Sequence, residues 1–436
     1  MLLAVLLCLA SAQTQEVPET PSGTDPVAFV GARLIPIHGP EIADGVLVVR
    51  GGVILHVGAA DTTPIPVGAK VRDVSGRVIL PGLVDTHSHV GAPEGADKTD
   101  PIQPEVRVLD SIDARASGFG RARAGGITTV NVMPGSGHLC SGQTVYLKLR
   151  AAGTIDDLLL RSPEGAVLGG LKMANGTNSR GEPPFPGTRA KSAALVRARF
   201  VAAQDYRDKI ALAAGDPAKV PPRDLGLETL VEVLEGKRVV HHHTHRHDDI
   251  LTVLRLAQEF DFHVVLHHVS EGWKVADEIA AAGVPCSVIV IDSPGGKLEA
   301  RDLSFTTAGV LEKAGVRVAI HTDDYITDSR LFLRSAALAV RGGMSREKAL
   351  EALTVAGAEM LDLDERVGTL EVGKDADFVV LDGDPLSVYT HVIETWVEGE
   401  KVFDRALPED RLIATGGYGA TKDGAAFLCC DEEVVR

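Results

Sequence analysis

From Gly82 to about Leu361 the chain alternates short apolar runs with amphipathic stretches. Strand patterns fall at 82–87, 127–133, 143–149, 166–172, 238–243, 262–268, 284–291 and 316–322. Helical patterns fill the gaps. Within 188–214, Val196, Phe200, Ala203, Tyr206 and Ile210 recur at three and four residues and so share one helix face. The stretches 248–259, 273–282, 304–314 and 329–341 read as further helices. Strands separated by helices demand crossover connections, hence a mostly parallel sheet covered by helices. The count and span predict an α/β fold of the (β/α)8 TIM barrel type, a unit of ~250 residues. An open doubly wound sheet is the competing layout, but no Gly-rich phosphate fingerprint follows the first strand.

The flanks read differently. Val46–Val49 and 53–57 in one flank, and 378–381, 392–397 and 401–403 in the other, are short strands between turns. The expected organisation is therefore a β-sandwich half at 26–80, the barrel at 81–362 and the second sandwich half at 363–410, with an unassigned tail at 411–436. Residues Met1–Ala12 (MLLAVLLCLASA) form an apolar run ending small-x-small, which is read as a signal peptide and predicts an exported, periplasmic or extracellular protein.

Composition narrows the function classes. With 44 basic and 60 acidic residues the net charge is −16, which repels nucleic acid, and no basic stripe offsets it. After the first dozen residues no apolar run reaches the ~20 residues of a membrane span. The five cysteines have no regular spacing, so neither a disulfide scaffold nor a cysteine zinc module is expected. A small-molecule substrate is the partner that remains, and a homo-oligomer is left open.

The fifteen histidines are unevenly placed. His87 and His89 form a His-x-His at the end of the first barrel strand, and alternate strand residues face one side. His243, His268 and Asp323 each close a later strand pattern. All five then lie at the C-terminal face, where barrel active sites sit. Four imidazoles and a carboxylate form a nitrogen/oxygen set for a divalent cation, Zn2+ first among Mn2+, Fe2+ and Ni2+. Lys172 closes the 166–172 pattern and is either a surface cation or an amine able to add CO2. In the run His241–His247, His241 is expected to share the inward face of His243 and His242 to point outward. His245 and Arg246 belong to the mouth, where they could meet a substrate carboxylate, unless Arg246 pairs with Asp248 or Asp249. Arg180, in a Gly/Pro-rich loop, is a weaker substrate contact, and His267 is expected to face away.

The motifs Leu80-Pro81-Gly82-Leu83-Val84-Asp85-Thr86-His87-Ser88-His89, Ala124–Thr129, His243-Thr244-His245-Arg246, His268-Val269-Ser270-Glu271, His321-Thr322-Asp323 and Gly368–Asp377 together resemble the metal-dependent amidohydrolase superfamily, in its imidazolonepropionase-like and prolidase-like branch. The resemblance runs from about Ala28 to Asp404. It implies that His87, His89 and Asp323 hold one cation, that His243 and His268 hold a second, and that a carbamylated Lys172 bridges them, for one or two metals per chain. It implies hydrolysis of an amide bond, as in an Xaa-Pro dipeptidase or a cyclic-amide hydrolase, with Asp323 carrying the proton. A deaminase on the same scaffold and a non-catalytic metal-binding relative are the alternatives. One departure stands out: similar chains carry Gly-Glu-Asn after the lysine strand, and this one has Gly176-Thr177-Asn178, with Glu182 the nearest substitute.

Overall fold

The computed structural model describes residues 25–93, 97–289, 298–324, 326–417 and 420. The expected signal peptide, 1–12, and the tail from 421 onward lie outside the described residues.

Both flanks join in one mixed sheet. Five strands come from the N-terminal flank: β1 (Val27–Leu34), β2 (Ile42–Arg50), β3 (Val53–Ala59), β4 (Lys70–Asp73) and β5 (Val78–Pro81). The barrel strands follow: β6 (Leu83–Ser88), β7 (Ile127–Val132), β8 (Cys140–Gln143), β9 (Val145–Lys148), β10 (Leu171–Ala174), β11 (Val240–Thr244), β12 (Val264–His268), β13 (Cys286–Val288) and β14 (Val318–Ile320). The C-terminal flank adds β15 (Phe378–Leu381), β16 (Val392–Val397) and β17 (Glu400–Asp404). The flank strands are ordered β17-β16-β15-β5-β1-β2-β3, with β4 beside β1, so β15 zips onto β5 and closes the two ends together. Phe29, Phe378 and Trp396 fill the core of this unit with ring centroids 4.9–5.5 Å apart.

The barrel strands form two arcs. β6 and β7 pair in parallel, as do β10 to β14 in sequence order. Two expectations change here. The 143–149 pattern is not one parallel strand: the Thr144 amide donates to the Gly170 carbonyl and splits it, leaving β8 antiparallel to β10 and β9 antiparallel to β7. The 166–172 pattern does not end at Lys172, because pairing with β11 begins only after Gly169-Gly170, and β10 runs 171–174. Glycines offer no side chain to pack, and the strand starts where Leu171 supplies one.

Between β14 and β6 side chains and loops make the connection. The Asp85 carboxylate accepts from the Thr322 hydroxyl (2.5 Å) and amide (3.1 Å), and the Asp323 amide donates to the His87 carbonyl (2.9 Å). Alternation sorts the strands: Leu171, Met173, Val240, Val264, Leu266, Val288, Val318 and Ile320 pack in the large core cluster. Val239, Val265, Ala319, Ala356 and Met360 form a separate apolar cluster. The residues two further along three of these strands, His241, His267 and His321, continue that second face toward the mouth. No helix among the described residues is long and apolar enough to cross a membrane.

Candidate metal centre

The sequence-predicted ligand residues converge. His87 lies in β6 and is almost wholly buried, with its Nε2 3.3 Å from Asp323 Oδ1. His89, one residue past β6, places Nε2 3.1 Å from the same oxygen, while Met133 O, 2.8 Å from its Nδ1, fixes the ring. A hydrogen bond on the opposite nitrogen is how metal-ligating histidines are oriented. His268 lies between the two expected groups: its Nδ1 is 4.0 Å from Asp323 Oδ2, with His87, His268 and Asp323 each offering an atom within 4.8 Å of the others, and its ring centroid is 4.5 Å from that of His243.

Two of these positions depend on unusual backbone. His268 has φ +70° and Asp323 has φ +51°. In a regular strand His267 and His268 face opposite sides. The left-handed turn at His268 swings its ring back over the mouth, so both histidines serve the same cavity. The expectation that His267 faces away is therefore wrong. Its ring lies 5.0 Å from His87, its Nε2 is 3.0 Å from His241 Nδ1, and His241 Nε2 is 2.9 Å from the Tyr146 hydroxyl. His321 also lies inside, between Ser287 Oγ (2.7 Å) and His268 Nδ1 (3.1 Å). His87, His267 and His321 make a second group with atoms within 4.8 Å. Non-glycine residues at positive φ are uncommon and cluster where function over-determines the backbone.

Lys172 is buried, with Nζ 3.2 Å from His87 Nε2 and 3.2 Å from Met133 Sδ. The surface-cation reading is excluded by that burial. His243 and His245 sit together, ring centroids 4.6 Å apart, and form a third group with Glu299. His242 points outward, as expected, and lines a surface cavity with Arg189, Asp248 and Asp249. Arg246 closes on Asp248 with two contacts of 2.9 Å, so its fork is occupied by that partner. Arg180 folds back on its own loop, donating to Gly176 O at 3.2 Å. Glu182 is exposed on that loop and does not substitute for the missing glutamate. A carboxylate from elsewhere in the chain reaches this loop: Glu299 Oε2 accepts from the Thr177 amide at 2.8 Å. Sequence reasoning missed Glu299 because no spacing relates a 3-10 turn at 298–300 to a loop at 176–178.

Electrostatics favour a cation. Burial, then the charge on Lys172, holds the His87 imidazole far below its ordinary pKa, so it is a neutral donor. His268 is likewise held neutral by burial and by its histidine neighbours. Burial pulls the Asp323 carboxyl up, but the contact with His89 and the charges of His89, His321 and Lys172 together outweigh it and keep the group below its ordinary range and ionised. His87 Nδ1 is buried with no hydrogen-bond partner among the described residues. The neutral His87 and His268 imidazoles beside an ionised carboxylate are donors of the kind that Zn2+ and its neighbours take, so the residues present fit such an ion.

The amidohydrolase family model matches residues 78–403. The chain belongs to the amidohydrolase family. It is thus a metal-dependent hydrolase acting on carbon–nitrogen bonds, in a family that includes deaminases. A solved amidohydrolase from Thermotoga maritima superposes with TM-score 0.81 at 33% identity, covering 87% of this chain and 100% of that one. An imidazolonepropionase from Sphingopyxis alaskensis is 25% identical over 82% of this chain and 92% of its own length. An amidohydrolase from Hapsidospora irregularis is 26% identical over 82% of this chain, which spans only 40% of that protein.

Proposed function

We propose that the protein hydrolyses an amide bond, in an Xaa-Pro dipeptide or a cyclic amide, with a divalent cation held by His87, His89, His268 and Asp323. The observation that carries this reading is the gathering of three imidazoles around the Asp323 carboxylate, within 3.1–4.0 Å, at the strand ends. When bound, such a cation supplies Lewis acidity: it makes water a nucleophile at neutral pH and polarises a carbonyl oxygen.

The chain's own residues do the rest. Asp323, ionised and inside the cluster, takes the proton from the attacking water and returns it to the leaving nitrogen. Met133 O and Ser287 fix the rings of His89 and His321, and Asp85 pins the Thr322-Asp323 turn. Hydrolysis rather than deamination is favoured because the position three after His243 is Arg246, already paired with Asp248, so no carboxylate stands there to serve a ring nitrogen.

The test is a panel assay of tag-free protein supplied with Zn2+ or Mn2+, scoring amine or carboxylate release from Xaa-Pro dipeptides and cyclic amides, and ammonia release from aminated heterocycles. Amide cleavage that Asp323→Asn abolishes is the expected result. Ammonia release alone would replace the reading by deamination, and no turnover of either class in the metal-loaded protein would overturn it. Export through residues 1–12 belongs to the same proposal and is checked by the N-terminus of the mature protein.

A further inference from the structure

The third donor group, His243, His245 and Glu299, has no part in the reading above. All three side chains are buried and each offers an atom within 4.8 Å of the others. Glu299 is the telling member. Its side chain is 3% exposed, yet Oε1 has no hydrogen-bond partner among the described residues. Leaving a carboxylate oxygen buried and unpaired is costly unless a ligand completes it.

The surroundings aim that oxygen. Oε2 is held by the Thr177 amide at 2.8 Å, with the Arg189 guanidinium 3.6 Å away. Gly176, at φ +77°, makes room: a Cβ there would lie 2.7 Å from Oε2 and 3.1 Å from Oε1. His245 is oriented by Ser270 Oγ at 2.7 Å from Nδ1, the bond to the opposite nitrogen that metal-ligating histidines make. Two imidazoles with one glutamate are a donor set used by catalytic zinc sites. Lys172 is placed differently. It pairs in register with His241, whereas Ala174 pairs with His243, two residues nearer the mouth. Its Nζ contacts His87 and Met133.

We propose that His243, His245 and Glu299 form a second divalent-cation site, in which Glu299 rather than a carbamylated Lys172 is the anionic ligand. The proposal rests on the metal-dependent reading of the neighbouring centre but is separable from it.

The experiment is Zn2+ stoichiometry and affinity by elemental analysis and chelator competition on the full tag-free chain, for the native protein and for Glu299→Gln, His245→Asn, Lys172→Met and His87→Ala. The native protein is expected to hold about two equivalents. Glu299→Gln and His245→Asn, isosteric or nearly so, should each weaken the second equivalent by about 100-fold or more while the first stays bound. Lys172→Met should keep both. Folding is checked by circular dichroism, and His245→Asn serves if Glu299→Gln does not fold. Two equivalents retained in Glu299→Gln, or loss of the second in Lys172→Met alone, would overturn the proposal. A native protein holding one ion that His87→Ala removes would also overturn it, while leaving the first centre intact.

Discussion

The two halves of the molecule handle buried groups in opposite ways. In the terminal sheet, Phe29, Phe378 and Trp396 interlock edge to face and face to face, and Arg72 lies 5.0 Å over Trp396. Stability there comes from apolar area and ring geometry. In the barrel mouth, histidines crowd a carboxylate, and polar atoms such as His87 Nδ1, His267 Nδ1 and Glu299 Oε1 stay buried without partners among the described residues. A core built that way sacrifices stability, and it persists because the surrounding sheets and helices over-determine its shape. The difference teaches where each kind of damage should be visible: in folding for the sheet, in ion content and turnover for the mouth.

The sharpest way to break the contrast is His87→Ala. Its ring meets Asp323, Lys172, His267, His268 and His321. Turnover should fall by about 1,000-fold or more, since the chemistry loses the ion's several kcal/mol of stabilisation. The far-ultraviolet circular dichroism should be unchanged. Turnover within tenfold of native would remove His87 from the site.

The mirror experiment is Phe378→Ala. Truncating a buried aromatic costs about 3–5 kcal/mol, and Phe378 is fully buried between Phe29 and Trp396. Urea unfolding should shift accordingly, while activity per folded molecule stays near native. Activity falling in step with no loss of stability would mean the sheet shapes the mouth directly.

Lys148 tests the joint between the halves. It is buried in β9, and its Nζ donates to Asp375 (2.6 Å) and Asp377 (2.8 Å), just ahead of β15. Lys148→Met leaves Asp377 without its cation while Asp375 keeps Arg366 at 2.9 Å, and breaking a buried pair this way costs about 3–5 kcal/mol. If the joint couples the halves, limited proteolysis of the variant should release the terminal sheet before the barrel is cut. Simultaneous loss of both would show a single cooperative unit.

The alternation of strand and helix patterns made the barrel legible in the sequence, and helix 189–213 falls within one residue of its expected bounds. The strand-end histidines were legible for the same reason, since strand ends face the mouth by topology. What pattern reading could not supply came from backbone and distance. The positive φ of His268 turns its ring to the side of His267, which no period-2 rule anticipates. Glu299 reaches Thr177 across 122 residues, a contact set by tertiary packing alone. The 143–149 run looked like a parallel strand because its apolar content is right, but direction is decided by which carbonyls Thr144 and Val145 meet.

The smallest effect concerns the loop that carries the mouth. Glu271, three residues after His268, accepts from the His247 amide (3.1 Å) and Nδ1 (2.6 Å), and Lys274 Nζ stands 2.9 Å away. Burial pulls its pKa up, but these donors outweigh burial and bring the carboxyl down to about 2 from an ordinary 4.5. A carboxylate whose folded pKa is depressed contributes stability in full above its unfolded pKa, and that contribution is lost as pH falls through the folded value. Glu271→Gln should therefore lower stability by about 1–3 kcal/mol at pH 7. The deficit should shrink as both proteins are acidified from about pH 4.5 toward pH 2, because the native carboxyl then loses its charge. Thermal midpoints of the pair measured at several pH values check this. A deficit that stays constant across the acid range would mean Glu271 acts through shape rather than charge, and that the mouth loop is held by packing as the terminal sheet is.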